Sequence, residues 1–215
     1  VNKNKDIGII KMEVMRNSPP KNNFLEKVRK LADEKKIILI FDECTSGFRE
    51  TYGGIHMKYK IHPDMLVLGK ALGNGYAISA CVGNDDLKNV ASDVFLTGSC
   101  WNDSVAMRAA LTSLKLCEVN GVSNSVTEKG LLFCKGMEEL SSKFNYNLKM
   151  TGPPAMPYPW FEGDENLYLI QKYCKLAANH GLFLHPHHNW FISDAHDRES
   201  IDQSLSLARN AFEEM

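Results

Sequence analysis

Apolar residues come in short runs along this chain, and their spacing alternates between strand-like and helix-like periods. Ile7-Gly8-Ile9-Ile10 opens a strand expected over residues 7–14, and Ser18-Pro19-Pro20 breaks the chain after it. Phe24, Val28 and Leu31 stand at helical spacing, with Asn22 or Asn23 placed to cap that helix. Ile37-Ile38-Leu39-Ile40-Phe41 is a continuous apolar run that stops at Asp42, as expected of a strand buried on both faces of a parallel sheet. Glycine and polar residues over 46–60 predict a long loop. Met65, Val67 and Leu68 form another short buried strand that ends at Gly69-Lys70. Residues 77–82 give one more strand after the Gly73-Asn74-Gly75 turn.

Helices are expected over 103–118 and 123–143, broken at Gly121. Pro153, Pro154, Pro157 and Pro159 then predict a rigid irregular segment. A helix at about 165–179 is followed by strands near 182–184 and 190–192. A closing helix carries Ile201, Leu205, Ala208 and Phe212 on one face. The fold class read from this order is α/β: a partial large domain with a mostly parallel sheet over 1–118, and a small C-terminal α+β domain over 119–215. The first part supplies few strands for a sheet with two covered faces. The chain also opens on Val1 rather than methionine, so a break in a longer chain is expected.

Charge narrows the functional classes. With 25 basic and 26 acidic residues the net charge is −1, which leaves no electrostatic footprint for a nucleic acid or an anionic membrane. The longest clean apolar run, Ile37 to Phe41, is too short to cross a bilayer. The start has no signal-peptide pattern. Cysteines at 44, 81, 100, 117, 134 and 174 include no CxxC pair, so free buried thiols in a reducing cytoplasm are expected.

Two residues stand where chemistry is done in open α/β sheets, at the carboxyl ends of buried strands. Asp42 is one. Taken by itself it reads equally as a helix cap or an ordinary ion pair. Lys70 is the other, flanked by Gly69 and Gly73-Asn74-Gly75, small neighbours that let another group approach its amine. By itself it reads as a surface lysine after a strand. The pair says more than either member. An amine can form an imine with an aldehyde cofactor, and a carboxylate facing the same cavity can keep a pyridine nitrogen protonated.

The flanking residues carry a resemblance. Residues 37–49, Ile-Ile-Leu-Ile-Phe-Asp-Glu-Cys-Thr-Ser-Gly-Phe-Arg, are similar to the LLIFDEVxTGFR segment of class III aminotransferases, with glutamate-1-semialdehyde aminomutases as the nearest well-known branch. Residues 63–76, Pro-Asp-Met-Leu-Val-Leu-Gly-Lys-Ala-Leu-Gly-Asn-Gly-Tyr, resemble the PDxxxxGKxxGxG segment of that family. Tyr52-Gly53-Gly54 matches a loop between the two, and Ser193-Asp194-Ala195-His196 with Glu199 and Ile201 resembles a closing SxAHTxEDI stretch.

This resemblance implies the carboxyl-terminal half of a pyridoxal 5'-phosphate (PLP) enzyme of transferase fold type I. It moves an amino group between a small-molecule amino donor and a carbonyl acceptor. It implies that Lys70 holds the cofactor as a Schiff base and that Asp42 pairs with the pyridine nitrogen. Cys44 takes a position against the ring face where the family has valine, and Thr45 lies near the phenolic oxygen. Gly98-Ser99 matches a Gly-Thr pair that reaches the phosphate from the neighbouring subunit, so a homodimer is implied. Glu13 matches the glutamate of a Glu-Pro pair at the substrate entrance, although Val14 replaces the proline. Trp101, where the family has a GNP triplet, resembles a sub-branch found among surface-sugar biosynthesis genes.

The family uses no metal. His185, His187 and His188 lack a neighbouring acid or cysteine at ligand spacing, and are expected to wall a substrate channel. Tyr158, Trp160 and Phe161 are expected to be core packing. Two other outcomes stay open. One is an aminomutase, which returns the amine to the same carbon skeleton. The other is a non-catalytic fragment or degenerate copy, because the family's phosphate loop and ring-stacking aromatic belong to its amino-terminal half.

Overall fold

The computed structural model describes residues 6–215; Val1 and the four residues after it, part of the expected 1–118 domain, lie outside the described residues. Two compact units divide the chain. One holds the described residues through Met15 together with Pro20–Gly121, and the other holds Arg16–Pro19 together with Val122–Met215.

The first unit contains β1 (Ile9–Met12), α1 (Phe24–Lys35), β2 (Ile38–Asp42), β3 (Met65–Leu68), β4 (Ala80–Gly83), α2 (Lys88–Ser92) and α3 (Ser104–Val119). Its sheet has the order β1-β2-β3-β4. The first three strands are parallel, with Lys11 opposite Ile40 and Asp42 opposite Val67, and β4 runs antiparallel to β3. Alternation along β2 aims Leu39 and Phe41 into a core with Val14, Leu25, Ala32, Ile37 and Ile55. Removing a Leu, Ile or Phe side chain from water contributes about 1.5–3 kcal/mol, so this face anchors the sheet. Ile38, Ile40 and Asp42 point the other way and are only half-buried, which corrects the expectation of two fully buried faces. The half-buried face is the one on which Asp42 stands.

Several local expectations shift. The first strand covers Ile9–Met12 rather than 7–14, and the last begins at Ala80 rather than 77. The 46–60 loop contains a 3-10 turn over Ile55–Tyr59. Asn23 precedes α1, but its backbone is left-handed (φ 53°) and its side chain caps nothing. Asparagine tolerates that backbone better than most residues, which explains its presence without a capping bond. By contrast, Asp103 caps α3, accepting from Val105 N at 2.9 Å and Ala106 N at 3.3 Å.

The second unit contains α4 (Val122–Lys143), β5 (Leu148–Thr151), β6 (Tyr158–Phe161), α5 (Tyr168–Asn179) and α6 (Arg198–Glu213). Its core gathers Met137, Ile170, Tyr173, Ala177, Ala208 and Phe212. β5 and β6 pair antiparallel within and beside the segment expected to be irregular. The strands expected at 182–184 and 190–192 do not form. Trp190 N donates to Pro157 O at 2.8 Å and Ile192 N to Ala155 O at 3.0 Å. The reciprocal bond to Trp190 is impossible because Pro157 has no N–H, so a ladder cannot close there. Phe161 is core as expected, but Trp160 alternates to the outside and is 37% exposed. The thiols differ too: Cys174 is buried, whereas Cys81 and Cys100 are exposed. No helix of the described residues is long and apolar enough to cross a membrane.

Candidate functional site

Because β2 and β3 are neighbouring parallel strands, their carboxyl ends share one edge of the sheet. Asp42 is the last residue of β2, and Lys70 lies just past β3. Between them runs the loop after β2, which an inward-facing carboxylate holds in shape. Glu43 is fully buried. It accepts from Ser46 Oγ at 2.7 Å, Ile55 N at 2.6 Å and His56 N at 2.9 Å, and its Oε1 lies 2.7 Å from His56 Nδ1. Burial pushes the Glu43 carboxyl up, but these hydrogen bonds, led by the His56 side chain, bring it below the usual carboxylate range. Its backbone carbonyl also accepts from Gly47 N at 2.8 Å.

The anchored loop presents Asp42, Cys44 and Thr45 in sequence. Asp42 Oδ1 accepts from Cys44 N at 3.2 Å, and Asp42 Oδ2 lies 2.9 Å from Lys11 Nζ. The bond from Lys11 is the main reason the Asp42 carboxyl sits below its ordinary range. Cys44 is pushed up, first by burial and then by Asp42, so its thiol is held protonated. Arg49 Nε donates to Thr45 O at 2.8 Å, fixing the Thr45 backbone. The Thr45 hydroxyl accepts from Lys70 Nζ at 2.9 Å.

Lys70 itself has a left-handed backbone, φ 44°. For a side-chain-bearing residue this costs roughly 1–2 kcal/mol. The turn behind it compensates: Gly73 N and Asn74 N both donate to Lys70 O, at 3.2 and 3.1 Å. Gly73 is obligatory there, since a Cβ would stand 2.2 Å from Tyr76 O. At Gly69 a Cβ would lie 3.4 Å from Cys44 Sγ, so glycine keeps space open beside the thiol.

The structure therefore gathers Asp42, Cys44, Thr45 and Lys70. It does not join the other expected residues to them. Glu13 follows β1 and is exposed. Gly98 and Ser99 lie on an exposed turn closed by Trp101 N donating to Gly98 O at 3.1 Å, and no hydrogen bond among the described residues links them to Asp42, Thr45 or Lys70. His185, His187 and His188 belong to the second unit, with the His185 ring 6.2 and 6.1 Å from the other two. Among the described residues no three His, Cys, Asp or Glu side chains gather as a metal site.

Two residues were missed by the sequence reading, Lys11 and Glu43. The signal for Lys11 was available: it is the one charge inside Ile9-Ile10-Lys11-Met12, and strand parity with a parallel neighbour sends it to the face that carries Asp42. Glu43 gave no such sign, because its partners lie 12 and 13 residues away across the loop.

An amine and an acid share one carboxyl edge of the parallel strands, the edge where open α/β sheets take their ligands. The chain belongs to the class III aminotransferase family, whose profile matches residues 16–203. It is 34% identical over 200 residues to the 3-aminobutyryl-CoA aminotransferase of Cloacimonas acidaminovorans (strain Evry), covering 91% of this chain and 48% of that protein. It is 30% identical over 209 residues to the glutamate-1-semialdehyde 2,1-aminomutase of Geotalea daltonii, covering 90% and 49%. The FumI protein of Sphingopyxis sp. MTA144, solved in its PLP internal aldimine form, superposes with a TM-score of 0.95 at 28% identity, covering 99% of this chain and 53% of that one. The fold is thus that of the aminotransferases, and the chain spans about half the length of the curated relatives it matches.

Proposed function

We propose that this chain forms the lysine-bearing part of a PLP-dependent aminotransferase, acting on a small-molecule amino donor and a carbonyl acceptor. The observation that carries the proposal is the convergence of Lys70 Nζ, Thr45 Oγ1 and Asp42 on one sheet edge, inside the segment that the family profile covers. The residues fit the group. Glycine at 69 leaves room beside Cys44, the Lys70 amine already points at a hydroxyl of the same loop, and Asp42 keeps its charge.

When bound, PLP supplies an aldehyde for a lysine and a ring that withdraws electrons from the carbon where a proton is removed. The chain's own residues do the rest. Lys70 would hold the aldehyde through its amine and, when free, would take and return the substrate proton at Nζ. Asp42 would face the ring nitrogen and keep it protonated by charge. Thr45 supplies a hydroxyl beside the Lys70 amine, and Cys44 a small apolar surface. The family resemblance assigns Glu13 to the substrate entrance. The resemblance assigns Gly98 and Ser99 to the phosphate of a second copy in a homodimer, a reading supported by the exposure of their turn and of Phe95, Leu96 and Trp101 around it. A cytoplasmic location suits six free cysteines. The aminomutase relative supports a second outcome, return of the amine to the same skeleton, performed by the same residues.

Borohydride reduction tests the assignment. The full-length protein treated with PLP and reduced should carry the pyridoxyl group on the peptide containing Lys70. Labelling of a different lysine refutes it.

A further inference from the structure

The sheet edge holds a second cation that the reaction as proposed does not use. Lys11 sits on β1, and its Cα partner in β2 is Ile40, two residues before Asp42. Strand parity therefore puts the Lys11 and Asp42 side chains on the same face, one strand apart, and Lys11 Nζ reaches Asp42 Oδ2 at 2.9 Å. The other carboxylate oxygen is taken by Cys44 N. Both oxygens of Asp42 thus have a donor from the chain itself. Lys11 is 57% exposed and Asp42 27%, so solvent and solute reach the pair.

We propose that Lys11 is a built-in counter-ion of Asp42 that competes with the cofactor's ring nitrogen for this carboxylate, so that Lys11 limits how tightly PLP is held. The inference rests on the reading above, in which Asp42 pairs with that nitrogen. Three charged or titratable groups define the surroundings: Lys11 from β1, Cys44 from the loop after β2, and Lys70 from the segment after β3, which acts on Cys44.

Lys11 has two opposing effects. It favours the ionised form of Asp42, which a ring proton needs. It also occupies the carboxylate and repels a second cation near it. An aspartate with an ordinary pKa of about 3.9 is already ionised at neutral pH, so the first effect adds nothing there and the second decides the sign. Removing Lys11 should therefore strengthen cofactor binding at neutral pH. The effect is modest, because the ammonium is solvated: exposed ion pairs change equilibria by about 1.5- to 5-fold.

The test titrates PLP into the full-length apoprotein and compares dissociation constants. Lys11→Met should bind PLP about two- to fivefold more tightly than wild type at low salt. The gap should close near 1 M salt, where charges are screened within about 3 Å. Lys11→Arg, which keeps the cation, should match wild type, and Lys11→Gln repeats the comparison if the methionine variant is insoluble. Asp42→Asn should weaken binding, and in that background Lys11→Met should have no effect. Equal or weaker binding by Lys11→Met, while Asp42→Asn still weakens it, overturns the role of Lys11 alone. If Asp42→Asn leaves the affinity unchanged, the pairing of Asp42 with the ring nitrogen fails, and this inference with it.

Discussion

In the proposed reaction Asp42 and Lys70 act through different properties of the same sheet edge. Lys70 needs reach and a free electron pair; Asp42 needs charge. At its half-buried position the carboxylate has two partners of its own, Lys11 on one oxygen and the Cys44 amide on the other. Asp42→Asn keeps the size of the side chain and an acceptor for Cys44 N, but gives up the charge. An opposite charge at hydrogen-bonding distance is worth about 1–3 pKa units, or about 1.4–4 kcal/mol. The variant is therefore expected to melt close to wild type while its rate of amino-group transfer falls by about 10- to 1000-fold. A full-length variant that turns over within a few-fold of wild type would exclude the role. Both residues were visible in the sequence, since an apolar run that stops at an acid, or at Gly-Lys, needs no tertiary information to be noticed. Their environment was not, because the contact from Lys70 to Thr45 depends on how a 25-residue separation closes.

The loop after β2 depends on one carboxylate. Glu43 is buried with its oxygens facing two backbone N–H groups, one hydroxyl and one imidazole. Glu43→Gln places an amide N–H₂ among those donors, leaving at least one buried group unsatisfied at about 1–3 kcal/mol. The loss should appear as a lower melting temperature of the full-length protein, together with weaker PLP binding as the Cys44–Thr45 segment loosens. A variant as stable as wild type would show that the loop has other anchors. The pH dependence is set by the sign of the shift. The folded carboxyl titrates below its unfolded value near 4.5, so its contribution is fully present above that value. It is lost as pH falls through the depressed folded value, and acid melts of wild type and Glu43→Gln should converge there. In the second unit, residues 153–157 are irregular as the prolines predict, but Pro159 lies in β6. The pairing of β5 with β6 was hidden, because Tyr158-Pro159-Trp160-Phe161 carries two signals, a breaker and an alternating strand, and the strand wins where Pro159 faces a position that needs no N–H from it.

Two compact units make up the chain, the first built on a mostly parallel sheet, and the α/β character of that sheet was legible in the order of periods along the sequence. What the periods could not give was the exposure of the region after β4. Phe95 is 89% exposed, and Leu96, Trp101, Leu111 and Val119 are also large apolar side chains in contact with solvent. Clustered exposed apolar side chains are what the proposed homodimer would cover. Full-length protein is expected to run as a homodimer by light scattering, and Phe95→Asp with Leu111→Asp should shift it toward monomer and lower its affinity for PLP. A monomer that binds PLP fully would refute the carry-over of Gly98 and Ser99.

The four residues Arg16–Pro19 belong to the second unit although they precede most of the first in the chain. Arg16 Nε meets Asn189 Oδ1 at 3.4 Å, 173 residues further along. A Cβ at Gly152 would stand 2.7 Å from Arg16 O, so this stretch packs tightly into its unit. During synthesis those four residues are made well before Gly152 and Asn189, the residues that meet Arg16. The second unit thus cannot complete this contact until residue 189 has been made, and the contact is a long-range one of the kind that is slow to form and exposed to misassembly. A fragment cut at residue 119 or 122 would begin life without its own first strap.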